Sequence, residues 1–245
     1  MRIAVVSDIH ANLTALEAVV ADLRRHAPDV VVAGGDLVGM GSSPAEVLDR
    51  IHDLGWTAIQ GNSDEALWHE ARCEAFFSGV PHLHAVHAMA RRANAWTRER
   101  IGDARLAWVR ALPFEWSGDN VTVVHASPGD AWRSPMASAS DTDLIQTYRV
   151  LGTPVVVYGH THGSFVRELP SLTVANSGSV SLSFDGDSRA AYAIVDAGRV
   201  VIHRVEYDIE REIRALAERA CPDADWMIGT LRAARPQPVP DVVTG

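Results

Sequence analysis

Seven residues suited to binding metal ions stand in short motifs along this 245-residue chain. Asp8 and His10 form a D-x-H in SDIH, Asp36 follows the pair Gly34–Gly35, and Asn62 sits in GNSD. His125 closes VTVVH, and His160 and His162 form the H-x-H of GHTH. Mixed imidazole and oxygen donors suit first-row transition metals better than Ca or Mg. Seven of them converging would suit two divalent cations sharing one carboxylate. Two cations about 3.5–4 Å apart can clamp the attacking and leaving oxygens of an in-line displacement and lower the pKa of water towards 7. Taken singly, the motifs are weak. Asp8 could cap the next helix, Asn62 suits a turn after Gly61, and a lone histidine is more often a hydrogen-bonded core or surface residue. The His160/His162 pair differs, because alternation puts both imidazoles on one side of an extended segment.

The elements that must carry these residues follow from hydrophobic patterning. IAVVS reads as a buried strand, followed by a helix from about Thr14 to His26 with Leu13, Leu16, Val19, Val20 and Leu23 on one face. DVVVAGGD reads as a second strand, Pro44 to Leu54 as a second helix with proline at its start, and TAIQGNSD as a third strand. That alternation implies a parallel sheet covered by helices. Residues 64–112 read as wholly helical, with Trp68, Phe76, Phe77, Trp96 and Trp108, and form a helical cap inserted into a single domain spanning 1–245. Trp96, Ile101 and Trp108 are expected to pack this cap onto the sheet. The strand pattern resumes at NVTVVH. A helix near Asp141–Leu151 follows, with Ser140 and Asp143 at capping-box spacing. The strands PVVVYGH, LTVANSG, AAYAIVD and RVVIHRVEY come next; their short connections predict antiparallel pairing. A last helix begins near Asp208, and the Pro-rich tail 235–245 is expected to be loose. Each candidate ligand falls at the C-terminal end of a strand or just beyond it, the edge where ligand sites assemble in open α/β sheets.

D-x-H, GD, GN-x-D, a strand-terminal histidine and GH-x-H, in this order, resemble the calcineurin-like metallophosphoesterase superfamily. SDIHAN, GDLVGMGSSP and NSGSVS are most similar to its small bacterial and archaeal phosphodiesterase branch. The resemblance implies an α/β fold, a four-layer α-β-β-α sandwich of two mixed sheets. It implies that Asp8, His10 and His162 hold one metal, that Asn62, His125 and His160 hold the other, and that Asp36 bridges them. Two divalent transition-metal ions are implied (Mn, Fe, Zn, Co or Ni, with Mn favoured). Asp36, Asn62, His125 and Asp64 are the candidate catalytic residues. The activity implied is hydrolysis of phosphate diesters, cyclic nucleotides among them, by a metal-activated hydroxide. Three alternatives stand beside it: a phosphomonoesterase acting on nucleotides or proteins, a DNA nuclease, and a non-catalytic scaffold on the same fold.

One position departs from the family pattern. Many relatives read GNH[DE], in which the histidine protonates the leaving oxygen; here the segment is Gly61–Asn62–Ser63–Asp64. A serine hydroxyl is a poor acid near neutral pH, and losing a general acid typically costs 10²–10⁴-fold. Better leaving groups, such as aryl esters or strained 2′,3′-cyclic nucleotides, are then expected to be preferred. Otherwise His69, His82, His84 or His87 of the insertion supplies the proton. Asn12, Ser63 and Arg133 are candidate contacts to the phosphoryl group, and Asn176–Ser181 is a candidate turn beside the site.

Composition narrows the partners. The net charge of −9 argues against general affinity for nucleic acid, while locally bound cations still permit phosphate binding. Cys73 and Cys221 lie far apart and read as buried free thiols. No window approaches the roughly 20 apolar residues of a membrane span, and the N-terminus lacks a signal-peptide core. A small phosphoester substrate and a cytoplasmic location are the expectation.

Overall fold

The computed structural model describes residues 1–80 and 83–239. Strand β1 (Arg2–Val6) leads into helix α1 (Leu13–His26), β2 (Val30–Ala33), α2 (Pro44–Asp53) and β3 (Thr57–Ala58). Three helices follow: α3 (Asn62–Ala66), α4 (Glu70–Ser78) and α5 (His84–Ala111), the last interrupted at Gly102 with φ 68° and ψ 173°. Then come β4 (Glu115–Gly118), β5 (Val121–Val124), α6 (Asp141–Tyr148), β6 (Val155–Tyr158), β7 (Phe165–Leu169), β8 (Leu172–Asn176), β9 (Ala190–Asp196) and β10 (Arg199–Val205). The described chain ends with α7 (Ile209–Glu218) and α8 (Ala224–Ala233).

The strands make two five-stranded sheets, ordered β10-β9-β1-β2-β3 and β4-β5-β6-β8-β7. Each mixes parallel and antiparallel pairs. Alternation along the strands builds the layers. Ile3 and Val5 of β1 point inward and meet Val121, Val123, Val155 and Val157 of the second sheet. Ala4 and Val6 point outward, against Leu16, Val19 and Leu23 of α1. On the far side, Val156, Tyr158 and Val174 pack on Leu144 and Tyr148 of α6. The result is the expected four-layer sandwich.

Several local expectations are corrected. LTVANSG pairs parallel to PVVVYGH, β8 with β6, because an additional strand, β7, lies between them in sequence and takes the outer edge. Both β4 and β7 are edge strands, half exposed and carrying polar residues, so they lack the apolar runs that mark the central strands. The third strand is only two residues long: after Ile59 the chain turns away, and the Gln60 amide hydrogen-bonds Pro113. Trp108 and Ile101 join the core beneath α2, and a bidentate Arg105–Asp49 pair ties α5 there. Trp96 packs instead against Leu182 and the α7–α8 pair. The capping box at Ser140 and Asp143 is formed, and both cysteines are buried thiols. In the tail, the Trp226 indole donates to the Gln237 carbonyl; residues 240–245 lie outside the described residues. No described helix is long and apolar enough to cross a membrane.

Candidate metal centre

The seven candidate ligands meet at the ends of β1, β2, β5 and β6, and at the first residue of α3. Five of them sit where the strand stops abruptly. Asp8, His10, Asp36, His160 and His162 have φ of 56°, 45°, 50°, 64° and 56°. The left-handed region costs an L-residue roughly 1–2 kcal/mol, least for Asp, Asn and His. Strain at five ligands persists because the loops lace one another together. The amides of Asp8, His10 and Ala11 bond the carbonyls of Gly35, Asp36 and Leu37, and the Gly159 amide bonds the His125 carbonyl. Ser179 donates its hydroxyl to the Asp8 carbonyl, and Ser7 to that of Gly34. The NSGSVS turn thus supports the Asp8 loop.

Three imidazoles are oriented by the backbone. Nδ1 of His10, His125 and His162 donates to the carbonyls of Gly39, Gly34 and Leu182, so that in the neutral ring each Nε2 turns its lone pair inward. Those lone pairs meet acceptors. His10 Nε2 lies 3.1 Å from His162 Nε2, which is 3.2 Å from an Asp8 oxygen. His125 Nε2 lies 3.1 Å from the Asn62 amide oxygen, itself 2.8 Å from His160 Nδ1. With His10, His125 and His162 neutral, these are acceptors facing acceptors, which is repulsive unless a proton or a metal cation stands between them. Asp36 divides itself between the groups, with one oxygen 3.6 Å from His10 Nε2 and the other 3.4 Å from His125 Nε2. The Ser63 amide and hydroxyl both donate to it, at 2.8 and 2.9 Å.

Electrostatics point the same way. Asp8 and Asp36 are buried, and among the described residues no arginine pairs with either. Asp8 accepts from the His160 amide and Asp36 from Ser63, but two buried carboxylates with no permanent cation beside them are costly unless cations compensate them. Burial works against charge on His162 and His125, yet Asp8 beside the first and Asp36 beside the second raise both above the usual histidine range. Burial lowers His10, and burial with the His125 charge brings His160 down to about 4. Without metal, His125 and His162 thus favour a proton on Nε2, the position a bound cation would take. The donor set fits metal ions: Asp8, His10, Asp36 and His162 each offer a ligand atom, all within 4.8 Å of one another.

The remaining candidates divide differently. Asp64 is fully buried, and its carboxylate accepts from the amides of Leu37, Val38 and Gly61. It clamps the Asp36 loop to α3; burial and the Asp36 charge push its pKa up to about 7. Asn12 is also fully buried, its oxygen capping α1 at Ala15 and its amide holding Ser181. Arg133 pairs with Asp130 and rests over the Phe76 ring. His69 pairs with Glu65, His84 is exposed, and His87 stacks on Phe77 near Glu74. His82 lies outside the described residues. Sequence reading passed over Trp132, whose indole donates to Glu65 and whose ring, with Phe77 and Asn94, walls a cavity of about 120 Å³ against Asn62 and Ser63. Its one signal was an aromatic residue in the loop after His125.

Gly61 is required by close approach. A Cβ there would stand 2.1 Å from the Asp36 carboxylate and 2.3 Å from its amide nitrogen. Overpacking of this kind costs ~1–3 kcal/mol, which is roughly 2–4 °C of Tm per kcal/mol in a chain of this size. Gly61→Ala is expected to lower Tm and to displace Asp36, so that calorimetry and bound-metal content fall together. An unchanged metal content would contradict this.

Comparison with known proteins agrees with the geometry. The chain is 28% identical over 246 residues to the uncharacterised protein MJ0912 of Methanocaldococcus jannaschii, covering 92% of this chain and 95% of that one. The crystal structure of a metallophosphoesterase from Sphaerobacter thermophilus is 30% identical, covers 96% of this chain and 99% of its own, and superposes with a TM-score of 0.74. The hypothetical protein PH1004 of Pyrococcus horikoshii shares the fold with a TM-score of 0.80 at 18% identity, over 94% and 97% of the two chains. Residues 1–199 match the calcineurin-like phosphoesterase superfamily domain, and the chain belongs to that superfamily.

Proposed function

We propose that this chain is a two-metal phosphoesterase that prefers phosphodiesters with good leaving groups. The observation that carries the reading is the division of Asp36, whose two oxygens face separate clusters: Asp8, His10 and His162 on one side, Asn62, His125 and His160 on the other. When bound, two divalent cations supply Lewis-acid polarisation of the phosphoryl group and lower the pKa of water. The chain's own part is to fix the imidazole tautomers, exclude cationic side chains and hold the carboxylates in place. The diester preference rests on two features. Among the described residues no arginine pairs with the ligand carboxylates and Arg133 is engaged by Asp130, an arrangement that favours the single charge of a diester. The Ser63 hydroxyl is engaged with Asp36, leaving no side-chain acid at that position for a poor leaving group.

The test compares bis-p-nitrophenyl phosphate with p-nitrophenyl phosphate, with Mn²⁺ and with chelator. Hydrolysis of the diester is expected to exceed that of the monoester, to vanish with chelator and to return with Mn²⁺. A monoester rate above the diester rate would overturn the preference, and chelator-insensitive turnover would overturn the two-metal reading.

A further inference from the structure

We propose that Asp22, His26 and His203 form a second, separate cation site for one transition-metal ion of the zinc type. Asp22 and His26 lie at i and i+4 in the last turns of α1, which places both side chains on one face. His203 reaches them from the edge strand β10. One ligand atom from each of the three residues lies within 4.8 Å of the others. His26 Nε2 is 3.6 Å from Asp22 Oδ2, close to the roughly 3.4 Å that separates two ligands about 2.1 Å from a tetrahedral ion. The two imidazole rings stand edge to face with centroids 4.3 Å apart.

The surroundings also suit a cation. The Tyr192 hydroxyl donates to Asp22 Oδ2 at 2.7 Å, and its ring stacks on His203. This is the outer support that orients ligands in metal sites. The cluster lies at the C-terminal end of α1, where the helix dipole favours positive charge. Arg25 is the competitor for Asp22, at 3.4 Å, but its side chain is 81% exposed and free to leave. Arg2 is engaged by Asp196 and by the His26 carbonyl. That last bond also places the cluster near the start of β1, at the opposite end of the sheet from Asp8. An open groove of about 420 Å³ beside His26 and His203 gives access from solvent. Two imidazoles and one carboxylate leave a fourth position for water.

The test uses the full chain, stripped with chelator, dialysed against Zn²⁺ alone and analysed for protein-bound zinc. Wild type is expected to hold one equivalent more than either His26→Gln or His203→Gln, and Asp36→Asn is expected to retain that equivalent. Zinc should raise the Tm of Asp36→Asn by several degrees, and this rise should be absent when His203→Gln is added. Phosphoesterase activity should be unchanged in the two histidine variants. Because the readout is a difference between variants, it stands whatever the catalytic cleft binds. Zinc content lost in neither histidine variant, or in only one of them, would overturn the proposal.

Discussion

Asp36→Asn is expected to lower kcat/KM on bis-p-nitrophenyl phosphate by on the order of 10³-fold, while leaving the chelated protein at least as stable as chelated wild type. The two effects have opposite sign for one physical reason. Asp36 is buried, has no arginine partner among the described residues and faces two clusters of candidate ligands. Its negative charge is useful only when cations are present. Asparagine tolerates the left-handed φ of 50° and keeps one oxygen, but it must turn an NH₂ towards either His10 or His125. One cluster then loses a ligand and gains a donor. Without metal, removing the charge relieves repulsion with Asp64, whose carboxyl is raised partly by Asp36. Replacing a buried, poorly compensated charge by a neutral isostere is often neutral or stabilising. Steady-state rates and melting curves in chelator measure the two halves. A wild-type rate would remove Asp36 from the site. A Tm several degrees lower in chelator would mean that the Ser63 bonds to Asp36 hold the fold together.

What could be read from sequence follows from where information is dense. The central strands β1, β2, β5 and β6 are buried on both faces and spell themselves out as valine-rich runs. Each ends in a ligand motif, so the edge carrying the site was legible with them. The edge strands were not, since a half-exposed FVREL or EWSG looks like a loop until its partner is known. The parallel pairing of β6 with β8 depended on one of those missing strands. Sequence also named Asp64 without its task. Its three amide partners come from two separate loops, Leu37 and Val38 in one and Gly61 in the other, and that meeting has no local signature. The reason for Gly61 was likewise tertiary: φ is −101°, and the demand for glycine comes from Asp36 pressing against it. The left-handed ligands were hidden for a related reason. Asp and His adopt that conformation more readily than most residues, but only the surrounding loop bonds require it here.

Ser63→His is expected to raise hydrolysis of a diester with an alkoxide leaving group, such as a 3′,5′-cyclic nucleotide, by about 10²-fold, with a much smaller gain on bis-p-nitrophenyl phosphate. Supplying a general acid gives 10²–10⁴-fold where the leaving group is poor. The lower end is expected because Asp64, next in sequence, is committed to the amides of Leu37, Val38 and Gly61 and cannot orient the new ring. There is room for an imidazole: Ser63 borders the cavity walled by Phe77 and Trp132, with Gly39 opposite. The substitution removes the hydroxyl bond to Asp36 but keeps the amide bond. A hydrogen bond to a charged group is worth about 1.5–3 kcal/mol, so a lower Tm should accompany the faster rate. The gain should also carry a pH signature. An imidazole donates a proton only while protonated, so the advantage is present below its pKa, near 6.5 for a free histidine, and is lost as pH rises above it. Rate–pH profiles on both substrates decide the matter. A gain equal for good and poor leaving groups would mean that the histidine acts on binding. No gain on the alkoxide ester would mean that water already protonates the leaving oxygen in the wild type, and that the serine at this position costs the enzyme nothing.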